Sequence, residues 1–437
     1  MSDQNSTRRT FLKWSSLGSA AALAGCNALQ QTDSEVGDAQ TDTTETEPAV
    51  ADELEQRDGS LLERAGVQFA DAFAQNGKGT TDSPWVVDGK KAMAKPGALV
   101  FGEGYYTADQ FSTNPDIDYE ATGLYLQGTG VRSTTLQKPE YDGSFLEFAL
   151  EGDQTGNFSG VSDMTIYGNN REGPESEGHL IHSSGDIIDL MFENLIVRYG
   201  YNDGIHISPS ASGTRLHNCW VENHDGWAVW LGSGTRAKIT DQHIVGCKKG
   251  GIRINTNASQ LSGISTYACS PGIESRCERT SMNNLYFDML EVGYFAADEA
   301  KDNTVSNVAF REVDVGFDVR GDGTQFSNIQ ARDTRTLARV SGNRNGFANV
   351  DAGGANLRIT GNENVFMGLR NTGDVKDSGT RTIINGRGTN NGNPNQRGEW
   401  NGHADYAFET GATIWDTDGS QWRPFVADGN GNWIQTA

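Results

Sequence analysis

The feature that most restricts this chain is a short repeat. Aligned on their apolar residues, the segments FENLIV (from 192), LHNCWV (216), ITDQHI (239), LSGIST (261), MNNLYF (282), VSNVAF (305), FSNIQA (326) and FANVDA (347) follow at steps of 24, 23, 22, 21, 23, 21 and 21 residues. Units this short cannot bury an apolar face alone, so they must stack. About a dozen residues after most rows comes a second short strand: GIHIS, GWAVW, GIRIN, GIESR, GYFAA and GFDVR. Its alternation is expected to turn Ile205 and Ile207, Trp227 and Val229, Ile252 and Ile254, and Phe317 and Val319 inward.

Two columns mark the corners. Asn194, Asn218, Asn284, Asn307, Asn328 and Asn349 recur in the first strand, where Asn tolerates left-handed backbone and stacked amides can bond along the axis. Gly204, Gly226, Gly251, Gly272, Gly293 and Gly316 open the second strand and are expected to serve the next corner in the same way. The chain is therefore expected to be all-β, a right-handed parallel β-helix over residues 59–386. Ser83 and Pro84 read as the start of a capping helix running to about Ala94. After residue 387 the repeat dissolves, and three tryptophans between D-T-D-G and D-G-N-G turns suggest a small β module, first a cap on the last coil and otherwise a sugar-stacking appendage or subunit contact.

The opening coils, ALVFGEGYYTADQF (98–111) and GLYLQGTGVRSTTLQKP (123–139), resemble those of the pectate lyase-like β-helix superfamily. The resemblance implies the fold over most of the chain and leaves activity open, because that superfamily holds polysaccharide lyases, polygalacturonases, epimerases, phage depolymerases and inert adhesins. The polygalacturonase signature is not present as a set; Gly251-Ile252-Arg253-Ile254 matches its last segment only faintly. Residues 1–26 resemble a twin-arginine export signal, with Arg8 and Arg9 before a short apolar run, closing on a lipoprotein site at Cys26. That run is too short to span a bilayer. Residues 27–58 carry ten acids and one Arg and read as a disordered tether. The expected location is the outer face of the cell membrane, with the N-terminal lipid as the one membrane contact.

A formal charge of −23 argues against nucleic acid or an anionic membrane surface as partner. With 11 Lys among 35 basic residues and abundant Asp, the composition resembles that of proteins solvated for high salt, as in halophilic archaea. The sequence leaves the oligomeric state open, a trimer included.

Candidate chemistry gathers at Y-N-D-G-I-H (201–206) and H-D-G-W-A (224–228). Aligning the corners on glycine superimposes Asp203 on Asp225, and coils about 4.8 Å apart would make them neighbours. Paired carboxylates at that distance suit a retaining glycosidase, and Asp225 with Glu274, two rows apart, an inverting one. His206 and His224 would carry protons. Trp220 and Tyr286, with His243 between, would give sugar rings an apolar surface, and Tyr201 and Lys249 complete the binding set. Asp beside Gly is also an ordinary turn pair, so both acids could merely cap corners. A lyase would instead use Arg253, Lys248 or Lys249 as base, with Ca²⁺ held by clustered acids. Otherwise no cofactor is required, and no zinc-ligand spacing is present. A glycoside hydrolase acting on acidic or surface polysaccharide is the first expectation, a lyase the second, and a non-catalytic glycan-binding or adhesive envelope protein the third. Cys247 and Cys269 share a column, as a disulfide or a stacked thiol pair.

Overall fold

The computed structural model describes residues 66–385, apart from short segments at 114–122, 140–142, 150–155, 158, 169–177, 185–186 and 208–211, and three strands within 413–435. The chain is a right-handed parallel β-helix. Second strands from Phe111–Ser112 to Val375–Asp377 form one twelve-stranded parallel sheet. First strands pair in parallel from coil to coil, as in Ser281–Asp288 with Thr304–Arg311 and then Gln325–Arg332. The opening coils join the same stack, with Gly97 opposite Leu124 and Tyr106 opposite Leu136. The export signal, Cys26, the tether and the stretch from 386 to 412 lie outside the described residues. Near the C terminus, Thr413–Asp416, Arg423–Ala427 and Trp433–Gln435 make a three-stranded antiparallel sheet. No helix among the described residues is long and apolar enough to cross a membrane.

The asparagine column does what its residue type allows. Asn194, Asn218, Asn284, Asn307, Asn328 and Asn349 all have φ between 50° and 55°, and Asp241 and Gly263, also left-handed, take the place in the two coils that lack Asn. Their amides form a ladder: Asn349 donates to Asn328 at 2.8 Å, and Asn328 to Asn307 at 3.0 Å. Inside, identical rings stack coil on coil, Phe326 on Phe347 at 4.4 Å and Phe347 on Phe366 at 4.6 Å. This is the spacing of hydrogen-bonded strands.

The glycine column works differently from the expectation. Gly204, Gly251, Gly272, Gly293 and Gly316 are absent from the left-handed residues. They are glycine because of close approach: a Cβ at Gly251 would lie 2.3 Å from the Gly272 carbonyl oxygen, and one at Gly316 2.7 Å from that of Leu337. Gly226 does not belong to this column. Ile205 pairs with Val229 and Val229 with Ile252, so Ala228 occupies the position and the coil carries two more residues than a Gly-to-Gly alignment allows. Val229 and Leu231 therefore face the core, and Trp227 does not. The capping helix is also shorter than expected. Trp85–Val87 is a strand, and a single turn, Gly89–Ala92, follows with Asp88 as N-cap accepting from the Lys91 amide. Cys219, Cys247, Cys269 and Cys277 are buried free thiols, and the Cys247 amide donates to Cys269 Sγ at 3.1 Å.

Candidate functional site

The register of the twelve-stranded sheet builds one cleft from four successive coils. On its outward face Glu147, His182, His206, Trp230, Arg253 and Glu274 occupy consecutive rungs. Three residues earlier in each coil, at the corner, stand His179, Asp203, Trp227 and Gly250, linked by the Leu180 amide to the Asp203 carbonyl and the Gly204 amide to that of Trp227. Each coil thus presents a pair at spacing i, i+3: His179 with His182, Asp203 with His206, Trp227 with Trp230. A cavity of about 340 Å³ opens over them, with Asn202, Lys249 and Arg253 on its walls. Gly250 makes room, since a Cβ there would sit 2.3 Å from the Trp227 ring.

Asp203 is the hub. It is 4 % exposed; Oδ2 lies 2.6 Å from His206 Nδ1 and Oδ1 accepts from the Trp227 amide at 2.7 Å. Burial pushes its carboxyl upward, but the bonds from His206 and Trp227 and the nearby imidazoles outweigh this and hold it below the usual carboxylate range. Burial lowers His206 against the pull of Asp203. Burial, with His206 as neighbour, takes His179 down to about 3. Asp203 is therefore the ionised member and His206 the neutral one, so Nδ1 carries the shared proton and Nε2 keeps a lone pair. Around this pair His179 stacks on His206 with ring centres 3.9 Å apart, and Trp230 meets His206 edge-on at 3.7 Å. Arg253 lies over both indoles, 5.9 Å from Trp227 and 5.7 Å from Trp230. Farther along, His182 Nδ1 is 3.4 Å from Glu147, whose carboxyl is held low chiefly by that histidine and which also accepts from Gln110.

Several sequence expectations are corrected here. Asp225 does not stack on Asp203; its amide bonds to the Gly200 carbonyl and its carboxylate is paired with Lys248 at 2.7 Å. The two-residue difference in coil length moves it out of register. His224 is wholly buried beneath Gly200 and Gly204, with Nε2 3.2 Å from the Val197 carbonyl oxygen, and cannot exchange protons with a substrate. Glu274 is bound by Arg276 and, at 3.5 Å, by Arg253. Trp220, His243 and Tyr286 do share a column, with Ser265 between His243 and Tyr286, but on the sheet of first strands, apart from the cleft. Tyr201 is half-buried and does not line the cavity. Asp203, His206, Arg253 and Lys249 do come together. His179, His182, Trp230 and Glu147 were not anticipated, although H-x-x-H, D-x-x-H and W-x-x-W at successive coils carried the signal. A second concavity of about 230 Å³ on the other sheet is lined mainly by amides, with Asp351 and Arg370.

No protein-family model and no curated protein matches the chain. Among solved structures it is similar to the A-module of mannuronan C-5 epimerase AlgE6 from Azotobacter vinelandii, at 11 % identity over 74 % of this chain and 100 % of that one, with a TM-score of 0.48. It is also similar to ORF18 of Geobacillus virus E2, at 13 % identity over 91 % and 81 % with a TM-score of 0.47. The catalytic unit of a GH87 α-1,3-glucanase from Streptomyces thermodiastaticus gives 16 % identity over 73 % and 69 %, with a TM-score of 0.38. At these values the likeness assigns no activity.

Proposed function

We propose that the protein acts on an acidic polysaccharide and removes a proton from a uronate ring with His206. The observation that carries this reading is the 2.6 Å contact of His206 Nδ1 with a buried Asp203, in a cavity that also holds two indoles and two cations. Asp203 fixes the ring and its tautomer, leaving Nε2 as base. Trp227 and Trp230 offer the apolar surface on which a sugar ring lies. Arg253 and Lys249 suit the uronate carboxylate and the negative charge that grows on it as the neighbouring proton leaves. An arginine keeps its proton, so Arg253 serves as this electrostatic partner and not as the base.

Elimination then balances as follows. Nε2 takes the proton beside the carboxylate, those C–H electrons form a new C=C bond, the glycosidic C–O bond on the next carbon breaks, and the imidazolium returns the proton to the departing oxygen. Hydrolysis by paired carboxylates finds less support, because Asp203 is the one carboxylate lining the cavity among the described residues. Nor do the residues fit Ca²⁺. The one set of donors near enough to share a cation, among the described residues, is made of imidazoles, whereas Ca²⁺ takes oxygen ligands. Export by the twin-arginine route and anchoring at Cys26 complete the proposal, supported by the motif at the N terminus.

The test is incubation of the protein, in high salt, with a panel of polyuronates and neutral glycans. Ultraviolet-absorbing unsaturated ends are expected from a polyuronate, and His206→Ala and Asp203→Asn should each lower turnover at least about a hundredfold. New reducing ends without that absorbance would replace elimination with hydrolysis. Binding without turnover would leave a glycan-binding face and remove the chemistry.

A further inference from the structure

We propose that His179, His182 and His206 together bind one divalent transition-metal ion, and that the ion competes with proton transfer at His206. The three side chains offer one ring nitrogen each, all within 4.8 Å of one another. They come from two adjacent coils, two at a corner and strand of one and the third from the next. Ring centres lie 3.9 Å apart for His179 and His206, 5.4 Å for His182 and His206, and 5.2 Å for His179 and His182.

One feature favours a metal over a stack of inert rings: each ring has a carboxylate behind it. Asp203 Oδ2 lies 2.6 Å from His206 Nδ1 and 3.5 Å from His179 Nδ1, and Glu147 Oε1 lies 3.4 Å from His182 Nδ1. Carboxylates on the far nitrogens orient imidazoles and raise their basicity towards a metal, and Gln110 in turn holds Glu147. All-imidazole donors suit Zn²⁺, Co²⁺ or Ni²⁺ and discriminate against Ca²⁺ and Mg²⁺.

The binding claim stands without the proposed reaction, whereas the competition rests on it: a lone pair on His206 given to a metal is not available to a proton. The experiment uses the full chain, stripped by chelator and titrated in high salt with Co²⁺ alone and then Zn²⁺. One Co²⁺ per chain is expected, with the visible spectrum of a low-coordinate nitrogen site, displaced by Zn²⁺. His182→Ala should weaken binding at least about tenfold, and so should Glu147→Gln, which leaves all three rings in place. Far-ultraviolet dichroism of each variant reports that the solenoid is intact. In the polyuronate assay, Zn²⁺ should stop the wild type, and the Zn²⁺ concentration that halves turnover should rise about tenfold in Glu147→Gln. Co²⁺ that stays hexa-aqua-like, or affinities unmoved by both variants, would overturn the site. Tight binding with undiminished turnover would keep the site and overturn the competition, and with it His206 as the base.

Discussion

Below neutral pH the fold should be destabilised by a residue that touches no substrate. His224 is fully buried, and burial lowers its imidazole to about 4 against the ordinary 6.5, in spite of the Val197 carbonyl oxygen 3.2 Å from Nε2. Above 6.5 neither folded nor unfolded chain protonates it, and it adds no pH dependence. Between 6.5 and 4 the unfolded chain takes up a proton that the folded one refuses, so stability falls as pH falls. The lowering of 2.5 (6.5 − 4) at 1.36 kcal/mol each gives a loss of about 3 kcal/mol, complete near pH 4. Other groups titrate in the same range, so the assay is a difference. Urea unfolding of wild type and His224→Gln, compared at neutral pH and near pH 4, cancels whatever the two share. Glutamine keeps a donor for Val197 and cannot be protonated. The variant is expected to be the less stable at neutral pH because its shape fits the space under Gly200 and Gly204 less well, and the gap should narrow by about 3 kcal/mol at the acid end. A gap that does not move with pH would refute the reasoning.

Three further outcomes are expected. Asn328→Ala removes one bond of the amide ladder on each side and places a Cβ-bearing residue without a local hydrogen bond at φ 54°, so denaturation should show a loss of about 2–3 kcal/mol, whereas Asn328→Gly should lose only the hydrogen-bond share, about 1 kcal/mol. Trp230→Ala should weaken binding of uronate oligosaccharides by about tenfold, measured by calorimetric titration. With a formal charge of −23, thermal midpoints should fall as salt is diluted from molar to about 0.1 M, where like charges repel out to about 10 Å instead of about 3 Å; a midpoint indifferent to salt would remove the high-salt reading.

The solenoid was legible because its two strongest constraints are local. An Asn at φ near 53° and an apolar residue every second position leave the same mark in most coils. The cleft was half legible for a reason of register. Glycine at the second-strand corner is set by how closely the next coil approaches, and Ala228 satisfies that demand where its Cβ has room. Gly226, two residues earlier, is glycine for another reason: a Cβ there would lie 2.2 Å from Asp203 Oδ1. Aligning the two glycines shifted one coil by two residues, exchanged Trp227 for Asp225 opposite Asp203, and hid Trp230 altogether. The HLIHSS strand escaped because residues 178–184 precede the first row recognised as a repeat.

The same geometry explains why this cleft can hold so much chemistry without disturbing the fold. Core positions must match from coil to coil, since Phe326, Phe347 and Phe366 stack ring on ring, but an outward column answers only to its neighbours along the column and at the corner beside it. The run of Glu147, His182, His206, Trp230 and Arg253 is therefore constrained by these contacts and not by the core. What fixes their relative heights is coil length alone. An insertion of one residue between Gly204 and Ala228 would have to be absorbed in the turn or would slip the strand, turning Val229 outward and Trp230 into the core. Gly226 lies at that turn and a Cβ on it would strike Asp203, so the element that sets the register also sets the position of the carboxylate that orients His206. Site and repeat are coupled at this one corner, and elsewhere along the face they are free to vary separately.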